Sequence, residues 1–498
     1  MKRDHAVVAG GSMAGLLAAH VLADTFSQVT VVEPDLLDES TGHRRGVPQS
    51  EHAHVLLTRG ADALEELLPG LRSELVAAGA TVVPARIGPD QGMRLVSPAG
   101  PFTDVESEGT TFLGVSRPLL EGCVRSRVRG SVNVRFLGGH RVTGLLAAQG
   151  ATRVTGASVR SPDGVETALD ADLVVDATGR RSALPRWLTE LGYPGVPETT
   201  IETGIGYASR WYRRPASPTA SWYATLINLR PGVNNKFGAL LPVENGLCTV
   251  SIGGGAGEYP PSDEQGFLQW ARDLPDPGLY EAIIESEPVS GISAYRTPTS
   301  RRRHYERLRT WPKGLLVIGD AVCAFNPIYG QGMSVSALEA LALRDCLDRD
   351  HGDLEREFRD RVAAVVASPW SIASAEDMRL ASIRSRKQRK LSARLRDRVL
   401  YASQDAATSD PVVAGTFANI VLMLAGPSAL MRPHIVARVL RHRLTAGRRR
   451  NDHGVEVGAA RAVRPPVVGA GSARTADGTC SGATSARGRT GGSGAAAR

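Results

Sequence analysis

Near the start of the chain, the sequence reads Ala6-Val7-Val8-Ala9-Gly10-Gly11-Ser12-Met13-Ala14-Gly15, and this segment indicates the fold class. Its first four residues form a short apolar run, which predicts a buried parallel strand, and residues 16–22 predict an apolar helix. The six small or unbranched residues between them form a tight turn at a helix N-terminus, where free backbone N–H groups can hold a pyrophosphate. Ser12 stands at the middle glycine of the G-x-G-x-x-G pattern and is small enough to be tolerated there. Gly10 to Gly15 are therefore the first candidate cofactor-binding residues.

A second strand follows this helix and ends in a carboxylate. Residues 28–32 form the strand, and Glu33 comes directly after it. At this distance from the glycine turn, an acidic residue typically accepts hydrogen bonds from the ribose of a dinucleotide. The strand context and Glu33 together favour dinucleotide binding over a turn that merely links a strand to a helix.

A second cofactor signal lies some three hundred residues later. Leu315-Leu316-Val317-Ile318-Gly319-Asp320 predicts another buried strand, whose terminal aspartate can accept hydrogen bonds from a ribityl chain. The loop Phe325-Asn326-Pro327-Ile328-Tyr329-Gly330-Gln331-Gly332-Met333 then leads into an apolar helix over about 334–347. Backbone N–H groups at such a helix N-terminus favour a nearby anion, and reduced flavin carries negative charge. The candidate flavin-binding residues here are Asp320, Pro327, Gly330, Gly332 and Met333.

A third buried strand, Ala171-Asp172-Leu173-Val174-Val175-Asp176, lies between the two signals and ends in a small-residue turn at 177–179. We interpret it as a strand that returns to the dinucleotide crevice. Two cofactor signals so far apart in one chain indicate FAD.

These three motifs together resemble those of the class A flavoprotein monooxygenases, over nearly the whole chain to about Leu444. The resemblance implies an α/β fold of the aromatic-hydroxylase-like type. Such a fold has a Rossmann-type FAD-binding domain, an antiparallel-sheet substrate domain and C-terminal helices.

A narrower resemblance rests on the segments 44–57 and 325–333. The first reads Arg44-Arg45-Gly46-Val47-Pro48-Gln49-Ser50-Glu51-His52-Ala53-His54-Val55-Leu56-Leu57. Both segments are similar to those of flavin-dependent epoxidases from bacterial polyether ionophore biosynthesis, of the monensin and lasalocid type. The resemblance implies that Arg44, with Arg45 beside it, and Arg117 contact the flavin, and that Val142 contacts the adenine through its backbone. Cys323 departs from the wider group, which usually has histidine there.

The predicted domain organisation is discontinuous. Residues 1–187 and 305–350 form the FAD-binding domain, with 60–100 allowed to contribute to the substrate side, and residues 188–304 form the substrate domain. Large aromatic residues in this second domain are candidates for a substrate cavity, although ordinary core packing is the favoured interpretation for any single one of them: Trp211, Tyr212, Trp222, Tyr223 and Phe237. Residues 351–445 are predicted to be helical. The tail 446–498 is rich in glycine, alanine, serine and arginine and is predicted to be disordered.

The charge of the chain gives no indication of nucleic-acid binding. From Arg448 onward nine arginines oppose three acidic residues, so +6 of the net +8 belongs to the tail and about +2 to everything before it. A nearly neutral folded region has no basic surface suited to DNA or RNA.

The remaining composition favours a cytoplasmic protein without a membrane span. The five cysteines lack C-x-x-C spacing, which argues against zinc or a disulfide framework. His52 and His54 have no evident third ligand, so no metal site is predicted. Residues 411–431 contain an apolar run nearer thirteen than the roughly 20 residues of a membrane span, which favours a core helix, with a peripheral membrane contact as the alternative.

The predicted reaction is oxygen transfer from O2 through a flavin C4a-hydroperoxide. We expect epoxidation of alkenes in a polyene polyketide, free or carrier-bound, with NADH or NADPH reducing the flavin directly or through a flavin reductase. An isolated alkene accepts electrophilic oxygen without losing a proton, whereas a phenol benefits from a base, and the sequence reveals no catalytic residue of that kind.

Three alternatives remain open. An aromatic polyketide hydroxylase would carry the same motifs. A flavin halogenase is disfavoured, because the expected W-x-W-x-I-P segment is absent and no lysine lies between Lys2 and Lys236. A non-catalytic prenyl or lipid carrier of this fold is disfavoured by the intact flavin motifs.

Overall fold

The computed structural model describes residues 3–36, 44, 46, 48–90, 92–349, 352–385 and 390–457. The strands of this part are, in chain order, β1 Arg3–Ala9, β2 Phe26–Glu33, β3 Thr81–Ile87, β4 Met93–Ser97, β5 Gly100–Pro101, β6 Val105–Gly114, β7 Val134–Gly138, β8 Arg141–Ala147, β9 Val154–Arg160, β10 Glu166–Asp170, β11 Leu173–Asp176, β12 Glu198–Arg213, β13 Ala224–Ile227, β14 Lys236–Pro242, β15 Leu247–Gly254, β16 Glu287–Pro288, β17 Ser293–Arg303, β18 Leu315–Val317 and β19 Cys323–Ala324.

The α-helices of the same part are α1 Met13–Thr25, α2 Thr58–Leu67, α3 Leu71–Ala77, α4 Arg117–Arg129, α5 Leu184–Glu190, α6 Glu264–Arg272, α7 Gly278–Ile284, α8 Gly332–Asp348, α9 Leu354–Ser385, α10 Leu391–Ala407, α11 Pro411–Val421 and α12 Pro433–Val457. Packing divides the chain into two compact units, residues 1–445 and residues 446–498. Within the second unit, α12 continues to Val457, and the rest of the tail predicted to be disordered, 458–498, lies outside the described residues.

A parallel sheet with the order β18-β11-β1-β2-β7 forms the first layer. Its central strands contain buried apolar runs because α1 packs against β1, β2 and β11, and Val7 and Val175 have no exposed surface. All strands run in the same direction, so their carboxyl ends share one edge. The glycine turn after β1, Glu33 at the end of β2 and the Gly319 turn after β18 therefore lie at the same edge, as expected for the three motifs.

A large, mostly antiparallel sheet forms the second layer, with the order β19-β17-β12-β15-β14-β13-β4-β3-β6. Its long central strand β12 pairs with β15 on one side and β17 on the other. Side chains alternate between the faces. Ala208 and Tyr212 face a core that includes Phe267 of α6 and Leu279 of α7. The opposite face of β12 carries Tyr207 and packs in part against α9 through Leu380.

The smaller sheet β10-β9-β8 and the C-terminal helices complete the first unit. Strands β3 to β6 come from residues 81–114 and join the large sheet, whereas the parallel sheet takes its strands from four separate segments. The structure confirms the predicted α/β class with an antiparallel sheet and C-terminal helices. The domain boundaries that we draw between these parts stay a prediction.

The apolar segment 411–431 contains α11, whose Val413 and Ala414 are fully buried, so its apolar side chains belong to a protein core. Within the described ranges, every helix is either too short or too polar to cross a membrane.

Candidate functional site

The glycine turn after β1 has the close contacts that a dinucleotide-binding turn requires. Gly10 has a φ of +109°, and a Cβ placed there would lie 2.4 Å from the carbonyl oxygen of Ala177. A Cβ on Gly15 would lie 1.8 Å from the carbonyl oxygen of Gly10. Only glycine fits at these two positions, so the backbone of the turn lies directly against the neighbouring strand end. The geometry leaves the start of α1 free to receive phosphate oxygens.

A cluster of charged side chains surrounds this turn. Arg44 pairs with Glu33 at 3.0 Å, with Asp35 at 3.2 Å and also with Glu121, and it donates to the carbonyl oxygen of Gly11 at 3.1 Å. Glu33 accepts a hydrogen bond from the N–H of Gly11 at 2.6 Å. The cluster ties the segment around Arg44 to the turn. Its position is consistent with Arg44 and Glu33 as cofactor contacts.

Arg117 and Glu121, one helical turn apart on α4, contact the same turn from the other side. Arg117 donates to the hydroxyl of Ser12 at 2.9 Å, and that hydroxyl donates to Glu121 at 2.7 Å. Glu121 is not among the residues predicted from the sequence. The i, i+4 spacing from Arg117 is a signal that could have found it. The serine that replaces the middle glycine is therefore held by two charged side chains.

The Gly319–Asp320 turn meets the glycine turn directly. Gly319 has a φ of +69°, and a Cβ there would lie 2.7 Å from the Cβ of Ala14. Asp320 has a solvent-accessible surface although it lies in a recess of the protein. Desolvation in this recess raises the pKa of its carboxyl group, and the charges of Arg117 and Arg180 oppose that rise. An accessible carboxyl surrounded by protein marks a cleft between the two cofactor motifs.

The loop before α8 borders the same cleft. A short 3₁₀ turn, Pro327–Tyr329, ends at Gly330, which has a φ of +62° and lies against Val55. Helix α8 then begins at Gly332, where a Cβ would lie 3.9 Å from a carboxylate oxygen of Asp320, and Met333 is buried. The loop therefore presents the N-terminus of α8 to the cleft, as predicted.

His54 lies at this cleft as well and is uncharged at neutral pH. Burial and the nearby charge of Arg117 lower the pKa of His54 to about 3. Its Nδ1 lies 2.9 Å from the carbonyl oxygen of His52. The sequence predicts no metal role for these two histidines, and the structure places them between the cofactor motifs and the large sheet.

One face of the large sheet carries a transverse row of residues that we call the aromatic row: Phe237, Gly253, Tyr207 and Tyr295. These residues are directly opposite one another on β14, β15, β12 and β17. Gly253 leaves space that the ring of Phe237 occupies, because a Cβ there would lie 2.1 Å from that ring. Ile328 of the loop before α8 packs against this group. The aromatic row therefore faces the predicted flavin-binding loop.

Polar groups next to the aromatic row bond to one another. The ring of His52 contacts Tyr207 edge-on, with centroids 4.7 Å apart, and its Nδ1 lies 2.9 Å from the hydroxyl oxygen of Ser209. The hydroxyl groups of Ser251 and Ser209 form a hydrogen bond, and the Ser251 hydroxyl also accepts from the N–H of Ala53. The Tyr207 hydroxyl is buried and has no partner in the described part of the chain.

The aromatic residues predicted to line a substrate cavity do not all lie on the same face of the large sheet. Phe237 belongs to the aromatic row, and Trp211 lies on the same face, where its Nε1 donates to the backbone carbonyl oxygen of Glu51. Tyr212 and Trp222 are buried in the core on the other face, and Tyr223 is 40% exposed. Tyr207 and Tyr295 were missed, because sequence alternation alone does not say which strands lie side by side.

Glu339 on α8 is a further residue that sequence analysis did not single out. It has no exposed surface, and its Oε2 accepts a hydrogen bond from the N–H of Gly319 at 2.6 Å. Its other oxygen has no partner among the described residues. Burial raises the pKa of Glu339 to about 8, although the hydrogen bond from Gly319 opposes this rise. A protonated carboxyl therefore supports the Gly319–Asp320 turn from behind.

Two predicted cofactor residues are not placed in this cluster. Arg45 lies outside the described residues. Val142 is buried on β8 in the smaller sheet, and its role as an adenine contact stays a prediction. The structure brings the remaining predicted residues to the two turns, the charged cluster and the α8 loop.

A dinucleotide turn, a second Gly-Asp turn and a sheet face opposite a helix N-terminus define the class A flavin monooxygenase fold. The family model described as FAD binding domain matches residues 4–348, and the chain belongs to this family of FAD-dependent monooxygenases. FAD is its cofactor, and the close-packed glycine turns and the accessible Asp320 fit it. NADH or NADPH is the reductant typical of the family.

Two relatives cover most of the chain. Protein Rv3254 of Mycobacterium tuberculosis is 33% identical over 89% of this chain and 94% of its own length. Kynurenine 3-monooxygenase of Salinispora arenicola is 28% identical, with 76% of this chain and 81% of the relative covered.

Two solved structures share the fold. The flavin-dependent brominase Bmp2 has a TM-score of 0.62 and 14% identity, covering 90% of this chain and all of its own. The p-nitrophenol 4-monooxygenase PnpA of Pseudomonas putida has a TM-score of 0.59 and 19% identity, covering 86% of this chain and 99% of its own. At these identities the likeness concerns the fold.

Proposed function

We propose that the protein transfers one oxygen atom from O2 to alkenes of an apolar substrate, as in the epoxidation of a polyene polyketide in polyether biosynthesis. The aromatic row opposite Ile328 carries this proposal. Phe237, Tyr207 and Tyr295 present ring surfaces across neighbouring strands, and such a wall favours an apolar chain over a charged molecule.

The polar groups at the aromatic row suit a substrate that needs no deprotonation. Burial raises the pKa of Tyr207 well above its ordinary value, so its hydroxyl is a hydrogen-bond donor rather than a base. Because this hydroxyl has no partner among the described residues, it can donate to an oxygen atom of the substrate. A polyketide offers both features, since it carries oxygen substituents along an otherwise apolar chain.

The bound flavin supplies the activation of O2. The residues that would hold it are those of the two turns, with Arg44 and Arg117 at the pyrophosphate end and Asp320 at the ribityl chain. At the substrate end, the aromatic row would exclude water, and a water-poor pocket suppresses unproductive side reactions. NADH or NADPH reduces the flavin, directly or through a separate reductase.

Aromatic hydroxylation is the second candidate. The relatives named kynurenine 3-monooxygenase favour it, since they match 76% and 72% of this chain. His52 adds a specific observation, because its ring contacts Tyr207 of the aromatic row and histidine is the side chain that most often acts as a general base. The two candidates differ in the substrate and not in the cofactor.

The discriminating experiment supplies the FAD-loaded protein with NADH or NADPH, ¹⁸O2 and two probes. Geranylgeraniol has isolated alkenes and one hydroxyl group, and kynurenine is the aromatic probe. Mass spectrometry should show one labelled oxygen atom per epoxide on the first probe, with no chloride incorporated when chloride is present. Hydroxylated kynurenine with untouched alkenes would establish the second candidate. Unchanged probes of both kinds would refute the proposed substrate class while leaving the FAD assignment intact.

A variant pair tests the aromatic row itself. Phe237→Ser should raise KM for the polyene about tenfold or more, because loss of one aromatic contact costs on the order of 1.5–3 kcal/mol. Tyr223→Ser is the matched control, because Tyr223 is 40% exposed and lies outside the aromatic row. FAD affinity should stay unchanged in both variants. Equal KM values in the variants and the wild type would show that the substrate binds elsewhere.

We also propose a cytoplasmic location. The thiols of Cys123, Cys248, Cys323 and Cys346 are free and buried, which fits a reducing compartment.

A further inference from the structure

A buried carboxylate of the C-terminal helices contacts the loop that precedes α8. Asp377 lies on α9 and has no exposed surface. It accepts three hydrogen bonds: from Asn326 Nδ2 at 3.0 Å, from the Tyr329 hydroxyl at 3.0 Å and from the Ser300 hydroxyl at 2.6 Å. Burial raises the pKa of Asp377, and the three donors oppose that rise. Burying a carboxylate costs free energy unless hydrogen-bond donors satisfy its oxygen atoms.

The three donors come from two parts of the molecule. Asn326 and Tyr329 flank Pro327 and Ile328, so both ends of the 3₁₀ turn are attached to one carboxylate. Ser300 belongs to β17, the strand of the large sheet that also contains Tyr295 of the aromatic row. Asp377 therefore joins the loop to the sheet through a third element.

The position of the loop determines where α8 begins. Tyr329 is followed by Gly330 and Gln331, and the first residue of α8 is Gly332. The orientation of the backbone N–H groups at that helix N-terminus depends on the turn before it. Leu380, three residues after Asp377 on α9, packs in the cluster that contains Ile328 and Tyr207. The same helix thus contacts both the loop and the substrate side.

We infer that Asp377 is a positioning residue for flavin binding, which fixes the 326–329 turn and thereby the N-terminus of α8 against the large sheet. The C-terminal helices then take part in the FAD site without touching the cofactor. This inference depends on the FAD assignment and not on which substrate is oxidised.

Hydrogen-bond chemistry distinguishes the variants at this position. In Asp377→Asn the amide oxygen can still accept from Asn326 and Tyr329, and the amide N–H can donate to the Ser300 hydroxyl, which accepts as well as it donates. All three contacts survive. Asp377→Ala removes all three and leaves buried donors unpaired. Tyr329→Phe removes one contact on the loop side with almost no change in volume.

The experiment measures the dissociation constant of FAD by fluorescence titration, and hydrogen exchange of the 325–332 segment in the FAD-loaded protein. Asp377→Asn should bind FAD within about threefold of wild type. Asp377→Ala should bind it at least about tenfold more weakly, with faster exchange in the loop. Ser403→Ala is the control, because this buried hydroxyl on α10 donates to the carbonyl oxygen of Val399 and should leave both readouts unchanged.

Wild-type affinity and unchanged loop exchange in Asp377→Ala would overturn the inference. Equal weakening in Asp377→Asn and Asp377→Ala would also overturn it, because the asparagine retains the hydrogen-bond geometry. If Asp377→Ala does not fold, Tyr329→Phe decides the question. Faster exchange confined to 325–332 supports the positioning role, and unchanged exchange refutes it.

Discussion

Replacing Glu339 by glutamine should remove a pH dependence of stability that the wild-type protein carries. Glu339 is completely buried on α8 and accepts a hydrogen bond from the N–H of Gly319. Burial raises the pKa of its carboxyl group from 4.5 to about 8. The folded protein therefore keeps a proton at neutral pH that the unfolded chain releases.

The magnitude follows from these two pKa values. The stabilising contribution of the protonated group is fully present below pH 4.5 and is lost as the pH rises through about 8. Between these limits the free energy of unfolding falls by about 1.4 kcal/mol per pH unit, because the folded state binds one proton more than the unfolded state. From about pH 6 to about pH 8 the accumulated loss is about 2 kcal/mol.

The assay is urea unfolding of the FAD-saturated protein at these two pH values, with a reductant present for the free thiols. Glutamine keeps an acceptor for the N–H of Gly319 but does not titrate, so Glu339→Gln should lose about 2 kcal/mol less than wild type between the two pH values. Glu190→Gln, at an exposed position on α5, should behave as wild type. Identical pH dependence in Glu339→Gln and wild type would refute the conclusion that Glu339 is buried in its protonated form.

Three further results are expected. Gly15→Ala should abolish FAD retention, because the added Cβ would lie 1.8 Å from the Gly10 carbonyl oxygen. Gly195→Ala is the control and should retain FAD, because the space around Gly195 is open. Equal yellow colour of the two variants after gel filtration would contradict this expectation. Asp320→Ala should weaken FAD binding about tenfold in a fluorescence titration, since a charge-assisted hydrogen bond is worth about 1.5–3 kcal/mol, and an unchanged dissociation constant would remove Asp320 from the site. Ending the chain after Val457 should leave FAD content and the thermal midpoint unchanged, because residues 458–498 have few large apolar side chains. A lower midpoint would assign the tail a structural role.

The fold and the cofactor motifs could be predicted because their signals are local. Apolar runs at 6–9 and 315–318 specify buried parallel strands, and the glycines that follow them are required by the contacts they make within a few ångströms. A parallel sheet then brings the strand ends to one edge regardless of their separation in the chain. Gly10 and Asp320 therefore lie at the same cleft although about three hundred residues separate them.

The substrate side depended on tertiary structure. Tyr212 and Tyr207 are similar residues on one strand, yet one is buried in the core and the other lies in the aromatic row. Different helices cover the two faces of β12, since α6 and α7 pack on the Tyr212 side and α9 packs on the Tyr207 side. The composition of the aromatic row depends on the register between four strands.

The buried carboxylates show the same limit more clearly. Glu339 and Asp377 lie on helices whose sequence gives no sign of a role, and their importance comes from donors 20 to 77 residues away in the chain. The strands, the turns and the cofactor could be predicted from the amino-acid sequence, because they depend on local conformation and apolar patterning. Which side chains share the cleft and which carboxylates are buried away from water depends on the folded structure, because burial and pairing arise from contacts between distant segments.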